Sequence, residues 1–353
     1  FGCAVNETIV KGIADAMVEY GFLNAGYTYL NLDCGWSNEN RSQTNNSLIP
    51  NPIAFPNGMI DYVHNKGLLF GIYGDAGTLD CAKLPGSLGF EELDAQTFAA
   101  WGVDYLKYDN CYNSNISPII RYSKMRDALI ATNRSIYYSI CNWGKESKKL
   151  LQSDPYIWGH EIGNSWRTTG DINPSWDAIL SILDQQRNIS NFSGPGGWND
   201  PDMLEIGNGD LTVDEQKSHF SLWAALKAPL ILGFDLRNPP NDTLAIALNE
   251  KIIAINQDPL GRSVEIVEFI EDTYEIWTGI LSDGYVAGLF NREFIASFIT
   301  LNFENHCGIH GIIAVTYLWD DDPFKGNLTD SYTVQVQPHG VVVLKLQVVE
   351  INS

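Results

Sequence analysis

The segment YLKYDNC, Tyr105 to Cys111, decides the fold. Its first residues read as a buried strand, yet its last positions crowd together Lys107, Asp109, Asn110 and Cys111. A parallel strand covered on both faces should be a nearly continuous run of Val, Ile and Leu, so polar residues at its carboxyl end face something other than core. The end of this strand reads as a site.

Working outward, the same pattern recurs. YLNLD ends at Asp33, LFGIYGD at Asp75, DYLKYD at Asp109, SIYYSIC at Cys141, SWRTTGD at Asp171, GGWNDPD at Asp202 and PLILGFD at Asp235, at intervals of 30 to 42 residues. A (β/α)8 barrel repeats its strand and helix about every 31 residues, so this spacing predicts a TIM barrel more readily than an open doubly wound sheet. Helix signals lie between the strands. TVDEQKSHFSLWAALKAP opens with Thr212 and Glu215 at capping-box spacing and stops before Pro229, and FEELDAQTFAAWG ends in Gly102, as a helix terminus would. Seven strands are countable, so the eighth is expected to precede Phe1. After NQDPLG the helical pattern gives way to alternating runs such as VEIVEFIE, TYEIWTGIL and GVVVLKLQVV. These predict an antiparallel β-sandwich without intervening helices. The expected domains are a catalytic α/β barrel over 1–257, lacking its first strand, and an all-β sandwich over 258–353.

Composition narrows the function. The formal charge is −21 and no long Lys/Arg cluster occurs, which argues against nucleic acid as a partner. No apolar run reaches the roughly 18 residues of a membrane span. Nine Asn-x-Ser/Thr sequons, at Asn6, Asn40, Asn45, Asn115, Asn133, Asn188, Asn191, Asn241 and Asn327, predict passage through a glycosylating, secretory route to an extracellular location. Six cysteines fit an oxidising compartment but permit 15 complete pairings. A chain this acidic is compatible with acidic surroundings and equally with plain solubility.

Barrel sites form at the carboxyl ends of the strands, which here carry Asp33, Asp75, Asp109, Asp171, Asp200, Asp202 and Asp235, with Lys107 and Arg167 among them. Asp75, Asp200 and Asp235 are also candidates for plain capping or backbone hydrogen bonding. Divalent-metal hydrolysis would want histidines beside these carboxylates, but His64, His160, His219, His306, His310 and His339 lie away from the strand ends, so no metal and no cofactor is expected. Phosphate handling would want a GxxxxGK[ST] loop, which is missing. Glycoside cleavage needs paired carboxylates, groups for sugar hydroxyls and aromatic walls. Trp36, Trp143, Trp166, Trp198, Tyr73 and Tyr108 could supply the walls.

The motifs YLKYDNC, SWRTTGDI, GGWNDPDMLEIGN, ALKAPLILGFDL and NQDPLG resemble those of the glycoside hydrolase family 27 α-galactosidases, or melibiases, especially secreted fungal members. The likeness runs from Phe1 into the sandwich and weakens after about residue 265. It implies a retaining exo-glycosidase, with Asp109 as nucleophile and Asp171 as general acid/base, their carboxyls about 5 to 5.5 Å apart. Lys107 would donate to ring hydroxyls and hold Asp109 ionised. Arg167 would be another hydroxyl ligand, Asp202 and Tyr73 pocket wall, and Asp33 the reader of the O6 and O4 side. It also implies disulfides Cys3–Cys34 and Cys81–Cys111, with Cys141 and Cys307 outside them.

Three departures stand out. LDCGW replaces the common LDDCW, putting Cys34 where a second carboxylate would touch O4; fungal members share this variant, which points to a repositioned disulfide. Cys141-Asn142-Trp143 replaces CEW, placing Asn142 near the sugar 2-substituent. The first-strand segment, with its sugar-stacking tryptophan, is expected before Phe1, and a chain without it is expected to be impaired. Within the family the rivals are α-N-acetylgalactosaminidase, against which Lys145 counts because it is not small, and β-L-arabinopyranosidase. A catalytically dead galactose-binding protein would lack one carboxylate, and both are present. Melibiose, raffinose-type oligosaccharides and galactomannan all stay open as substrates, as does the oligomeric state.

Overall fold

The computed structural model describes residues 1–144 and 154–349. By internal contacts the chain divides into two compact units, Phe1–Gly170 with Asp235–Asn238, and Asp171–Phe234 with Pro239–Ser353. The composition change near residue 258 falls inside the second.

The first unit alternates helix and strand: α1 (Glu7–Glu19), β1 (Tyr29–Asn31), α2 (Ile60–Asn65), β2 (Leu69–Asp75), α3 (Glu91–Trp101), β3 (Tyr105–Asp109), α4 (Pro118–Ala131), β4 (Tyr137–Ile140), α5 (Pro155–Trp158) and β5 (Ser165–Arg167). The five strands pair in parallel and in chain order, with Asn31 opposite Gly71, Asp75 opposite Asp109, Tyr108 opposite Ile140 and Ile140 opposite Trp166. Local chemistry sets the helix ends. The Asn6 side chain accepts the Ile9 N–H at the start of α1, Pro118 opens α4, and Gly102 closes α3 at φ +84°, as its sequence position predicts.

Register brings the functional residues to one end. The amino ends of the strands carry an aromatic layer, in which the rings of Tyr105 and Tyr137 stack 5.0 Å apart and Tyr29 tilts against both. At Gly71 the Asn31 side chain of β1 fills the space of a side chain, since a Cβ would stand 1.9 Å from Asn31 Oδ1, so a larger residue there requires the Asn31 amide to move. At the carboxyl ends, registered pairing sets Asp75 beside Asp109.

The second unit opens with α6 (Trp176–Gln186), β6 (Trp198–Asp200), α7 (Val213–Ala225), α8 (Asn241–Ala247) and α9 (Glu250–Asn256). The capping box foreseen for α7 forms with both of its bonds, Glu215 N–H to Thr212 Oγ1 and Thr212 N–H to Glu215 Oε2. The helix ends at Leu226, before Pro229, where Lys227 turns to φ +59°.

Two expectations need correction. PLILGFD does not form a full strand; Leu232 makes only an isolated parallel bridge with Leu204. Leu204 exchanges both of its backbone bonds there, with Ile231 and Gly233, whereas Met203 N–H turns to the Asp202 carboxylate and Glu205 N–H to His219. The ladder therefore cannot extend. The sandwich also contains a helix after all: α10 (Phe303–Cys307), capped by the Asn302 side chain and stopped by Gly308 at φ +67°.

Around that turn lie β7 (Glu265–Ile270), β8 (Tyr274–Leu281), β9 (Gly284–Asn291), β10 (Ser297–Asn302), β11 (Ile313–Tyr317), β12 (Phe324–Leu328), β13 (Ser331–Val336) and β14 (Val341–Val348). They form an antiparallel sheet in the order β12-β11-β14-β9-β8-β7 and a β10-β13 pair. Alternation places Ile276, Leu289, Leu301, Val315 and Leu344 in a shared dry core with Phe303 of α10. All nine sequon asparagines are exposed. No described helix is long and apolar enough to cross a membrane.

Candidate active site

Asp109 ends β3 and is only 7% exposed. Its carboxylate is met on both oxygens. Oδ2 accepts the Tyr73 hydroxyl at 2.8 Å and lies 3.2 Å from Cys81 Sγ; Oδ1 accepts the Asn110 N–H and the Trp143 indole N–H, each at 2.9 Å. Donors converging on both oxygens of a buried carboxylate fix its orientation.

Lys107 does not serve as the direct counter-ion of Asp109. Its ammonium stands 2.5 Å from Asp33 Oδ2, just past the end of β1 and one strand beyond β2, while Asp33 Oδ1 accepts the Cys34 N–H at 2.7 Å. Burial pushes the Asp33 pKa up, but the Lys107 charge and hydrogen bond more than offset it and hold the carboxyl below the usual aspartate value of 3.8. The positioning of Asp109 rests on its hydrogen bonds instead.

Behind the nucleophile strand, the two foreseen disulfides are present, Cys3–Cys34 and Cys81–Cys111, and Cys141 and Cys307 stand outside them. Cys34 in LDCGW is thus a structural half-cystine. Asp75 accepts the backbone N–H groups of Gly77 and Cys111 at 2.6 and 3.0 Å. Complete burial, and next the Asp109 charge, push its pKa up to about 8. Asp75, Cys81 and Cys111 bring potential ligand atoms close together, but sulfurs joined in a disulfide offer no thiolate to a metal.

The ends of β4 and β5 complete this unit's polar face. Arg167 is 3% exposed, with Nη1 3.7 Å from Cys141 Sγ and Nη2 3.4 Å from the Thr169 carbonyl. Asn142 is 1% exposed, and neither polar atom of its amide has a hydrogen-bond partner among the described residues. An orphaned buried polar group costs about 1–3 kcal/mol, so such an amide marks a place where a ligand hydroxyl would be accepted. Lys145 lies outside the described residues.

In the second unit, Asp171 is exposed. Asp202 is 6% exposed and sits at φ +83°, an unfavourable backbone for a non-glycine residue. Local bonds hold it there: its N–H donates to Asp200, its carboxylate accepts the N–H of Ile172 and of Met203, and its carbonyl accepts the Trp223 indole N–H from α7. Asp200 therefore has the backbone-bonding role foreseen for it, as do Asp75 and Asp235, the last accepting the Arg237 N–H while also pairing with that residue's guanidinium.

Sequence reading missed the part played by Trp143, named only as a wall aromatic, whose indole N–H binds the Asp109 carboxylate. Its position two residues beyond the end of a strand in the series was the available signal. Conversely, Trp166 and Tyr108 are fully buried core residues, and Trp36 is buried with its N–H on the Tyr73 carbonyl.

An α/β unit with a buried, donor-held carboxylate beside a lysine–aspartate pair defines the class as a carbohydrate-cleaving enzyme of the barrel type. The alpha galactosidase A family model matches residues 2–258, and the alpha galactosidase C-terminal β-sandwich domain matches residues 271–346. Alpha-galactosidase 3 of Arabidopsis thaliana is 47% identical over 347 residues, covering 96% of this chain and 77% of its own. The alpha-galactosidase of Cyamopsis tetragonoloba is 49% identical over 310 residues, covering 86% and 73%. The crystal structure of alpha-galactosidase I from Mortierella vinacea superposes with a TM-score of 0.91 at 34% identity, over 100% of this chain and 96% of that one. The chain belongs to the glycoside hydrolase family 27 α-galactosidases, with their α/β barrel and C-terminal sandwich. The expected special likeness to secreted fungal members is not supported, because the plant sequences are more similar than the fungal one.

Proposed function

We propose that this protein is a retaining exo-α-galactosidase that removes terminal non-reducing α-D-galactosyl residues by double displacement. The observation that carries the reading is Asp109, a buried carboxylate oriented by Tyr73, Asn110 and Trp143 at the position of the family's nucleophile. Asp109 attacks the anomeric carbon while Asp171 protonates the departing glycosidic oxygen, giving a covalent galactosyl-enzyme. Asp171, now ionised, then takes a proton from water, which attacks the same carbon, breaks the bond to Asp109 and restores the α configuration. Its exposure suits a group that must meet both leaving group and water.

The remaining side chains bind the sugar. Lys107 and Asp33 together present a donor and an acceptor to ring hydroxyls, Arg167 and Asp202 add another of each, and Tyr73 walls the nucleophile. Asn142, whose amide is orphaned, suits the 2-hydroxyl of galactose, and this favours a galactoside over its 2-acetamido analogue. The catalytic domain spans 1–257 and the sandwich 258–353. Two disulfides and nine exposed sequons support a secreted, extracellular glycoprotein.

The test is hydrolysis of an aryl α-galactoside at mildly acidic pH, beside the α-N-acetylgalactosaminide and the β-L-arabinopyranoside, on the full-length protein. Preference for the galactoside, with α-galactose as the first product by NMR, supports the reading. Preference for either rival, or galactose binding without turnover of any of the three, overturns it.

A further inference from the structure

A cavity of about 460 Å³ opens beside the nucleophile, and its chemistry is not accounted for by the galactose-binding residues. Trp143 forms one wall and donates its indole N–H to Asp109, so the cavity borders the reacting carboxylate. The opposite side is the loop that follows β3, including Asn110, Tyr112, Asn113 and Ser114. Among the described residues of a chain with a formal charge of −21, no charged side chain lines it. Amides and a hydroxyl that both donate and accept, with aromatic side chains, fit a neutral polyhydroxylated ligand better than an ion. Its volume lies in the range of small-molecule sites.

The loop is built to hold one shape. Tyr112, Ser114 and Asn115 all take positive φ, at +40°, +53° and +57°, which costs energy unless surrounding structure imposes it. The Cys81–Cys111 disulfide fastens one end, and the Tyr112 carbonyl accepts the Thr78 N–H. From below, Arg121 of α4, 1% exposed, bonds the Asn110 side chain through Nη2 and the Ile116 carbonyl through Nε. Within the loop, Asn113 bonds the Asn110 carbonyl and the Asn115 N–H. Tyr112 is nonetheless 46% exposed. A pre-ordered loop loses little conformational freedom when it binds.

We propose that this loop and Trp143 form the subsite for the leaving-group sugar, with Tyr112 as its stacking platform and Asn113 and Ser114 as its hydroxyl partners. The inference rests on the α-galactosidase reading and extends it: the buried groups around Asp109 take the galactosyl unit, and the exposed loop takes the next sugar, whose far side stays in solvent. Substrates whose second unit is a neutral sugar, such as raffinose, therefore gain binding that a substrate with a minimal leaving group does not.

The test compares kcat/KM for raffinose with that for α-D-galactosyl fluoride, whose leaving group is a single atom, in the parent and in Tyr112→Ala. Stacking on an aromatic ring is worth about 0.5–1.5 kcal/mol, so the raffinose-to-fluoride ratio should fall roughly 3- to 10-fold, and Tyr112→Trp should restore it. Parent and variants are made in one host, so that any glycan at Asn115 is common to them. An unmoved ratio in Tyr112→Ala, including equal loss on both substrates, overturns the proposal alone. A parent that cleaves neither substrate overturns the reading of activity and the subsite together.

Discussion

Lys107 Nζ stands 2.5 Å from Asp33 Oδ2, joining β3 to the end of the β1 run, across the intervening β2, through a part-buried ion pair. Removing the cation in Lys107→Met would leave Asp33 without its partner. Because the Asp33 side chain is 39% exposed, water screens the loss, and the expected cost in stability is about 1 kcal/mol. The folded pKa of Asp33 lies below 3.8, so the pair contributes stability above that pH and loses it as pH falls through the folded value. Urea denaturation at pH 6 and pH 3 should therefore show parent and variant converging at the lower pH. Activity should suffer more than stability, with kcat/KM for an α-galactoside falling roughly 10- to 100-fold, as for one charge-assisted hydrogen bond to substrate.

Tyr73 and Asp109 make the next prediction. Tyr73→Phe removes one donor from the nucleophile while keeping the ring in the core. A hydrogen bond to a charged group is worth about 1.5–3 kcal/mol, so kcat should drop roughly 10- to 100-fold. Asp109→Asn should abolish turnover and leave galactose binding measurable by calorimetry. An undiminished kcat in Tyr73→Phe would show that the hydroxyl does not support Asp109 in the reaction.

Reduction should loosen the loop beneath Asp109. Cys81 and Cys111 are 30 residues apart in sequence, and closing a loop of that size stabilises by about 3–4 kcal/mol on chain-entropy grounds. Cys81→Ala with Cys111→Ala should lower Tm by roughly 5–10 °C in calorimetry. An unchanged Tm would mean that Arg121 and Asp75 alone hold the segment.

The sandwich has its own polar keystone. Glu275 in β8 is fully buried, receives Arg187 at 2.6 Å and the Trp277 indole N–H at 2.7 Å, and is also paired with Arg292. Glu275→Gln leaves two arginines facing a neutral amide. Breaking a buried pair typically costs about 3–5 kcal/mol, so the urea midpoint should fall accordingly, and a loss under 1 kcal/mol would show the site to be well hydrated.

The alternation of strands and helices, and the residues that end them, were legible because each buried strand announces its carboxyl end by a change from apolar to polar. Two things were not. The PLILGFD run has the composition of a strand, but whether its neighbour extends a ladder depends on where Met203 and Glu205 send their N–H groups, a three-dimensional choice. Likewise, nothing in the spacing of Lys107 and Asp109 reveals that the lysine turns to Asp33, since two residues apart on one strand share a face without having to share a partner. Asp109, in contrast, could be picked out because a carboxylate at the end of a buried strand has few purely structural uses.

His219 tests how this fold behaves in acid. It lies on α7 with no exposed surface, its Nε2 accepts the Glu205 N–H at 3.0 Å, and its ring meets Trp223 edge-on at 4.2 Å. Trp223 in turn bonds the carbonyl of Asp202, so the histidine lies beneath a proposed sugar-binding segment. Nε2 is the acceptor, hence Nδ1 carries the proton of a neutral ring. Burial pushes its pKa down to about 3 from 6.5. In the unfolded chain the ring gains a proton below pH 6.5, whereas in the folded chain it stays neutral until about pH 3, so acid favours unfolding throughout that interval. Each pH unit costs about 1.4 kcal/mol, which makes the penalty roughly 2–3 kcal/mol at pH 4.5. Glu205, raised by burial, acts in the opposite direction from its own ordinary value upward and is common to parent and variant. His219→Gln keeps a neutral acceptor for the Glu205 N–H and removes the titration. The variant should be less stable than the parent at pH 7, from imperfect packing, but should lose about 2–3 kcal/mol less between pH 7 and pH 4.5 in urea denaturation. Parallel pH dependences in the two proteins would show that His219 takes up its proton in the folded state and that water reaches the base of the Asp202 segment.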